Sequence, residues 1–284
     1  MKGYKGFEPG LICRGKQYAE NTVFEEEEAE ICSCGMHFCE NPFDVLGYYG
    51  FTNDNGDFNE FAEVEALDEV KTDDNRKFCT KKLKIGAKLS ISKFINACVD
   101  FAIEKTSTCI ADNKISSGDF AQIGSSGDSA QIGSSGYSAQ IGSSGDFARI
   151  GSSGDSAKIG SSGDFAQIGS SGDFAQIGSS GDSAQIGSSG DSARIGSSGD
   201  SAKIGSSGDS AQIGSSGKDC VICCAGHNSA VKAKKGSWIT LAEWEYSEEK
   251  ERYIPKCVKT EFVDGERIKE DTLYKLIDGE FVEV

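Results

Sequence analysis

Residues 178–195 read Gly-Ser-Ser-Gly-Asp-Ser-Ala-Gln-Ile-Gly-Ser-Ser-Gly-Asp-Ser-Ala-Arg-Ile, one nine-residue phrase given twice. The same phrase fills residues 116–217, where Ser-Ser-Gly recurs twelve times without an insertion. Ile holds one slot from Ile123 to Ile213, and Ala stands two residues before it each time, from Ala121 to Ala211. A fixed short period is the signature of a stacked repeat architecture. Flexible linkers share the Gly and Ser content but have no reason to keep Ile and Ala in register.

Ser-Ala-Gln-Ile alternates small or apolar with polar residues, the period of a strand. Ala and Ile therefore face one way, and Gln and the residue before Ala the other. Gly-Ser-Ser-Gly-Asp reads as turn, with its glycines free to take positive φ and its Asp able to bond nearby backbone. Two phrases then make an 18-residue coil of a parallel β-solenoid, with two short sheets back to back. A core of two Ile and two Ala per coil is thin and holds only because coils stack.

The variable slots are informative. Phe replaces Ser at 120, 147, 165 and 174, and Gln gives way to Arg149, Lys158, Arg194 and Lys203. Asp fills its slot ten times between Asp119 and Asp209, interrupted by Tyr137. Residues 18 apart stack, so Asp128, Asp146, Asp164, Asp182 and Asp200 form one acidic column, and Phe147 and Phe165 share an outward face. These seven are the candidate binding residues.

The chain of 284 residues carries a net charge of −16, spread over all its segments. Such acidity disfavours direct nucleic-acid binding and suits a basic protein surface as partner. No apolar run reaches membrane-spanning length, and no export signal opens the chain, so a soluble cytoplasmic protein is expected. The odd count of eleven Cys then fits reduced thiols better than a disulfide frame.

Three parts are expected: an α+β N-terminal domain (1–108), the solenoid with capping units (109–230) and a small β domain (231–284). In the first, Asn41-Pro42 is a helix start running through Phe43 to Tyr48-Tyr49. Tyr4–Phe7, Phe61–Leu67 and Lys82–Ile85 read as strands. Ile91, Phe94, Ile95, Cys98, Val99 and Ala102 have helical spacing, with Ser90 or Ser92 as cap. Glu25–Glu28 is a solvated edge or loop. After Gly217 the phrase decays, and Cys220 falls in the inward Ala slot. Trp238–Trp244 alternates as a strand, and Glu248–Arg252 and Asp278-Gly279 mark hairpin turns. The two flanking domains are expected to cover the two ends of the rod, which prevents end-to-end sheet growth.

Cys32, Cys34, His37 and Cys39 are zinc-ligand types at cramped spacing, and Cys220, Cys223, Cys224 and His227 form a second such group. Buried thiols explain the first group and the inward register of Cys220 the second, so neither zinc nor any other cofactor is expected. Calcium is disfavoured because Asp follows the second Gly directly, unlike the nonapeptide calcium repeats. An ice-binding face is excluded by the absence of a regular Thr grid.

Tyr4-Lys5-Gly6-Phe7, Gly35-Met36-His37-Phe38-Cys39-Glu40-Asn41-Pro42, Leu46-Gly47-Tyr48-Tyr49 and Phe61-Ala62-Glu63-Val64-Glu65 resemble an uncharacterised N-terminal domain of Firmicutes and phage proteins that similar repeat arrays can follow. That resemblance implies no activity. A weaker likeness, to ADP-ribosyltransferases of the His-Tyr-Glu kind, implies that Tyr48 or Tyr49 would stack on nicotinamide. The histidine expected near the first strand is missing there, and no catalytic Glu stands out. The sequence therefore points to a non-enzymatic acidic interaction protein of a phage or mobile element that imitates DNA towards a host nucleic-acid-handling machine, with a structural spacer and an ADP-ribosyltransferase-like enzyme as alternatives.

Overall fold

The computed structural model describes residues 1–53, 57–106 and 113–284, so the expected boundary at 108/109 lies outside the described residues. The N-terminal part contains β1 (Lys2–Phe7), β2 (Ile12–Cys13), β3 (Lys16–Gln17), β4 (Val23–Glu25), β5 (Met36–Cys39), α1 (Pro42–Val45), β6 (Glu60–Ala66), β7 (Val70–Thr72), β8 (Lys77–Thr80), β9 (Lys82–Leu89) and α2 (Ile91–Thr106). Seven of the strands form one sheet in the order β4-β9-β6-β1-β5-β8-β7, and its pairings are antiparallel. Asn41 caps α1 by accepting the Phe43 N–H at 3.0 Å, and Ser90 Oγ accepts the Lys93 N–H at the start of α2. The expected α1 is longer than the observed one. The chain leaves α1 through single turns at Leu46 and Gly47, and Gly50 follows closely. Phe94 of α2 stacks on Phe61 of β6 at 3.8 Å, tying helix to sheet in one apolar cluster.

Fourteen short strands follow, from β10 (Asn113–Ser116) to β23 (Ala230–Lys232), one per phrase. Even-numbered strands build one parallel sheet and odd-numbered strands the other, with identical residues paired 18 apart, such as Ile150 with Ile168. Ile and Ala fill the space between the sheets, and every Ile from Ile123 to Ile213 is at most 5% exposed. The parallel β-solenoid, two phrases per coil, is the observed architecture.

Two details depart from the sequence reading. The strand is Gln-Ile-Gly-Ser, so the first Ser of each Ser-Ser pair also points inward, as in Ser161 and Ser179 at 0% exposure. Ala sits just ahead of the strand, at the corner. Positive φ falls on the Ser/Phe slot, as at Phe147 and Phe165 (both 56°), and on neither repeat glycine. The glycines are required for a different reason. A Cβ on Gly163 would lie 2.1 Å from the carbonyl oxygen of Gly145 one coil below, and Gly172, Gly181 and Gly190 repeat that contact. Only a residue without a side chain permits this coil-on-coil approach, and the left-handed residue is displaced to the outward-pointing slot.

At the C-terminal end, β24 (Trp238–Ser247) continues the even sheet in parallel with β22 (Val221–Cys224), and β25 (Arg252–Phe262) returns antiparallel with one bulge. β26 (Tyr274–Ile277) and β27 (Glu280–Glu283) finish the odd sheet through the Asp278-Gly279 turn. Tyr274 and Leu276 join the same apolar cluster as the repeat isoleucines, so this part is built onto the rod's own core. Cys220 is fully buried in the Ala slot, as its register requires.

The N-terminal part does not sit on the other end. It lies along the flank of the odd sheet, contacting the rod from Gly124 to Gly214. Its largest apolar group (Phe51, Ile95, Val99 and Ala102) finds there a flat glycine-floored surface that the narrow end of a coil does not offer.

Candidate interaction surfaces

The rod presents two corners and two flat faces. Along one corner, Asp128, Asp146, Asp164, Asp182 and Asp200 form the expected column, all exposed. Each lends one carboxylate oxygen to the N–H of the residue 18 ahead, from Asp146 N–H to Asp128 Oδ1 at 3.1 Å up to Lys218 N–H to Asp200 Oδ1 at 2.7 Å. The second corner repeats the ladder from Asp155 to His227. The carboxylates therefore serve the fold first. They cap backbone donors that the turn leaves unpaired, and the second oxygen of each has no protein partner among the described residues.

Phe147 and Phe165 lie on the same corner as the Asp128 column. Their rings stack at 5.1 Å and 6°, and they are 56% and 49% exposed. The opposite corner carries Phe120 against Tyr137, with the guanidinium of Arg76 over the Phe120 ring at 4.3 Å.

The odd sheet is a built protein-docking face. Asn41 Nδ2 donates to Gln140 Oε1 at 2.8 Å, and Gln140 Nε2 donates to Asp44. Gln176 Nε2 donates to the Leu46 carbonyl at 2.8 Å and Arg194 Nη1 to the Thr52 carbonyl at 2.9 Å. Beyond that row, Lys232, which stands in the glycine slot of the last coil, pairs with Asp57 at 3.2 Å. Lys158 is half-buried opposite Asp44, and partial burial lowers its pKa while raising that of Asp44, each against their mutual attraction. The variable Gln slot thus supplies the hydrogen bonds that seat the N-terminal part. Sequence reading treated it as simple outward polarity.

The even sheet, of identical repeat sequence, is bare. Gly151, Gly169, Gly187 and Gly205 have no heavy atom within 4 Å of where a Cβ would stand. They floor a shallow groove of about 1040 Å³ bordered by Gln131, Arg149, Gln167, Gln185, Lys203 and Val221.

Inside the N-terminal part, a cavity of about 290 Å³ is lined by Lys5, Cys13, Tyr18, His37, Tyr48 and Tyr49, among others. Lys5 is almost fully buried and donates to the His37 carbonyl, and burial pushes its pKa down. The Tyr49 hydroxyl donates to Cys13 Sγ at 3.2 Å, while Tyr48 is exposed with Lys77 over its ring. Glu26, the one carboxylate on the cavity wall, is ion-paired with Lys16. Against the expectation of buried thiols, Cys32 stands exposed on a turn of positive φ and Cys34 is only half-buried; Cys223 is exposed too, whereas Cys39, Cys98, Cys220 and Cys224 are buried. Burial pushes the Cys39 and Cys224 thiols up to about 12. Among the described residues no three Cys, His, Asp or Glu side chains are placed to hold a metal ion. Among the same residues no helix is long and apolar enough to cross a membrane.

Residues 1–97 match the model of a family described as a domain of unknown function, DUF7666. That segment is the N-terminal sheet with the first seven residues of α2, and the rod lies beyond it. Neither a curated protein nor a solved structure matches the chain. The first part of the chain is thus similar to an uncharacterised domain family, and that is the extent of what comparison contributes.

Proposed function

We propose that the chain is a non-enzymatic interaction protein that offers its rod to a basic protein surface. In the fullest form of this reading it is a cytoplasmic protein of a phage or mobile element. There it imitates DNA towards a host machine that handles nucleic acid. The observation that carries the proposal is the pair of aspartate ladders, whose carboxylates are held at a fixed pitch by the coil stacking itself. Each column has one charge per ~4.8 Å, so two columns give one per ~2.4 Å of rod, against one per ~1.7 Å of duplex axis. A pre-ordered charge array loses little side-chain entropy on binding. The stacked Phe147 and Phe165 add an apolar anchor beside the acidic column.

The placement of the N-terminal part counts against the spacer reading. A spacer would hold its two end modules apart, but here the N-terminal part spans most of the rod and reaches Lys232 through Asp57.

The test is a pull-down from bacterial lysate at low and high salt. It compares the wild type with a triple Asp146→Asn, Asp164→Asn, Asp182→Asn variant. Asn keeps the oxygen that accepts the backbone N–H and removes the charge. A partner captured at low salt by the wild type and lost by the triple variant is expected. The same changes as Glu→Gln at Glu25, Glu26 and Glu27 should leave capture intact. Equal capture by the triple Asn variant would sink the proposal.

A further inference from the structure

The two faces of the rod are built from the same nine-residue phrase and differ only in which Gln slots are basic, yet one is covered and the other is not. On the covered face, α2 shows what the repeat is shaped to receive. Ala102 lies over Gly124, where a Cβ would come within 2.6 Å of its carbonyl oxygen. Val99 lies over Gly142 and Gly160, and Ile95 over Gly160 and Gly178. Ile95, Val99 and Ala102 are spaced i, i+4, i+7, one face of a helix. A helical turn rises ~5.4 Å and a coil ~4.8 Å, so one turn of helix meets one glycine. The Gln slot along one side of the glycines donates to carbonyls and carboxylates of the docked part, through Gln140, Gln176 and Arg194.

The open face repeats each feature. Its glycines Gly151, Gly169 and Gly187 are exposed, whereas Gly142, Gly160, Gly178, Gly196 and Gly214 on the covered face are buried. Glycine in a strand interior weakens the strand, and on this face no contact within the chain requires it. Two cations, Arg149 and Lys203, stand in the Gln row without an acidic partner among the described residues, in a chain of net charge −16. The same row ends in Val221, Trp238 and Phe262, at 53%, 48% and 38% exposure, an apolar patch continuous with the groove.

From this pairing of an occupied and an unoccupied face we infer that the even sheet seats one amphipathic α-helix of a protein partner. Its inner side carries apolar or small residues at i, i+4 and i+7. One margin carries carboxylates for Arg149 and Lys203, and one end carries an apolar residue that meets Trp238. Five glycines from Gly133 to Gly205 span ~19 Å, which matches about 13 helical residues. This inference goes beyond the acidic-column proposal, since it concerns a different surface and an acidic, not basic, contact.

The probe is a fluorescein-labelled peptide of residues 90–106, the chain's own α2, titrated into the full-length protein by fluorescence anisotropy. Saturable binding is expected. Valines at Gly169 and Gly187 fill the floor without touching the covered face and should weaken binding by about tenfold or more. Arg149→Gln with Lys203→Gln restores the commoner repeat residue and should reduce both the affinity and its salt dependence. Cys223, exposed in the glycine row, gives a readout that needs no variant, because saturating peptide should slow its alkylation by about tenfold. The inference is overturned by absent binding, by binding that ignores both valines, or by an unchanged Cys223 rate. It is also overturned if the protein alone is a dimer that the two valines convert to monomer, since a second copy would then be the occupant. Loss of the acidic-column partner in the Asp→Asn variant leaves this peptide binding untouched, so the two readings fail separately.

Discussion

Three glycines of one repeat array, one at a coil corner and two in the strand slot of opposite faces, should respond to the same Gly→Ala substitution in three different ways. At Gly163 the new Cβ would stand 2.1 Å from the Gly145 oxygen and 2.4 Å from its carbonyl carbon. Ordinary contact requires more than 3.4 Å, so the two coils must part by about 1.3 Å at that corner. The Asp164 N–H bond to Asp146 Oδ1 (2.8 Å) and the Ser162 N–H bond to the Ser143 carbonyl (2.9 Å) would then lie beyond bonding range. Two lost bonds at ~1 kcal/mol each, plus residual strain, give a destabilisation of about 3 kcal/mol. For a chain of this size that lowers Tm by roughly 6–12 °C. At Gly169 nothing lies within 4 Å, so Ala should stabilise the strand by ~0.5–1 kcal/mol through reduced backbone freedom. At Gly178 the Cβ would meet Phe51 Cζ at 2.7 Å and Ile95 at 3.0 Å. Overpacking of about 1–3 kcal/mol falls there on the docking of the N-terminal part. Thermal melts order the variants, and hydrogen exchange locates the damage: raised along α2 for Gly178→Ala, raised in the flanking coils for Gly163→Ala. Equal melts for Gly163→Ala and Gly169→Ala, or an α2 unaffected by Gly178→Ala, would refute the assignment of covered and open faces.

Other outcomes follow from the same geometry. Ile168→Asp places a charge in the core of Ile and Ala and should abolish cooperative melting, while Gln167→Glu next to it should shift Tm little; calorimetry of the two decides. Among the described residues the buried hydroxyls of Ser161, Ser170 and Ser179 have no hydrogen-bond partner, so Ser170→Ala should be neutral or mildly stabilising in denaturant melts. Brief iodoacetamide treatment at pH 8, read by peptide mass spectrometry, should modify Cys32 and Cys223 and spare Cys39, Cys98 and Cys224, whose thiols burial raises. Burial depresses the Lys158 pKa in the folded state, so its penalty is present below that folded value and is relieved as pH rises towards its unfolded value of ~10.5. Lys158→Gln should therefore raise Tm at neutral pH, with a gain over wild type that shrinks at pH 9–10.

The solenoid was legible because its signal is redundant. Ile and Ala recur at one spacing, and no other structure buries both at every ninth residue. The caps of α1 and α2 were legible for a similar reason, since Asn41-Pro42 and Ser90 act on their own immediate neighbours. Reading failed where a residue's reason lies one coil away. Gly163 looks like a turn glycine, but its smallness serves contact with Gly145, 18 residues earlier. The left-handed slot was assigned to glycine because propensity favours it there, and packing across coils overrode that preference. The same limit hid the role of the Gln slot, because Gln140 and Gln176 differ from Gln167 and Gln185 only in what lies above them.

The repeat makes a rod with two equivalent faces, and the N-terminal part removes that equivalence by occupying one of them. The basic substitutions fall differently on the two sides. On the covered face they are Lys158 and Arg194, both engaged by the docked part, which surrounds Lys158 with Asp44 and gives Arg194 the Thr52 carbonyl. On the open face they are Arg149 and Lys203, three coils apart and turned to solvent. An array whose function was only to fix a length would need neither pair, since Gln serves the stacking equally well. A rod that holds its own domain on one side and presents the same glycine floor, bordered by two free cations and an aromatic end, on the other is arranged as a two-sided adaptor. Under the two proposals above, its acidic corners select the wider protein surface that approaches and its open face the helix that stays.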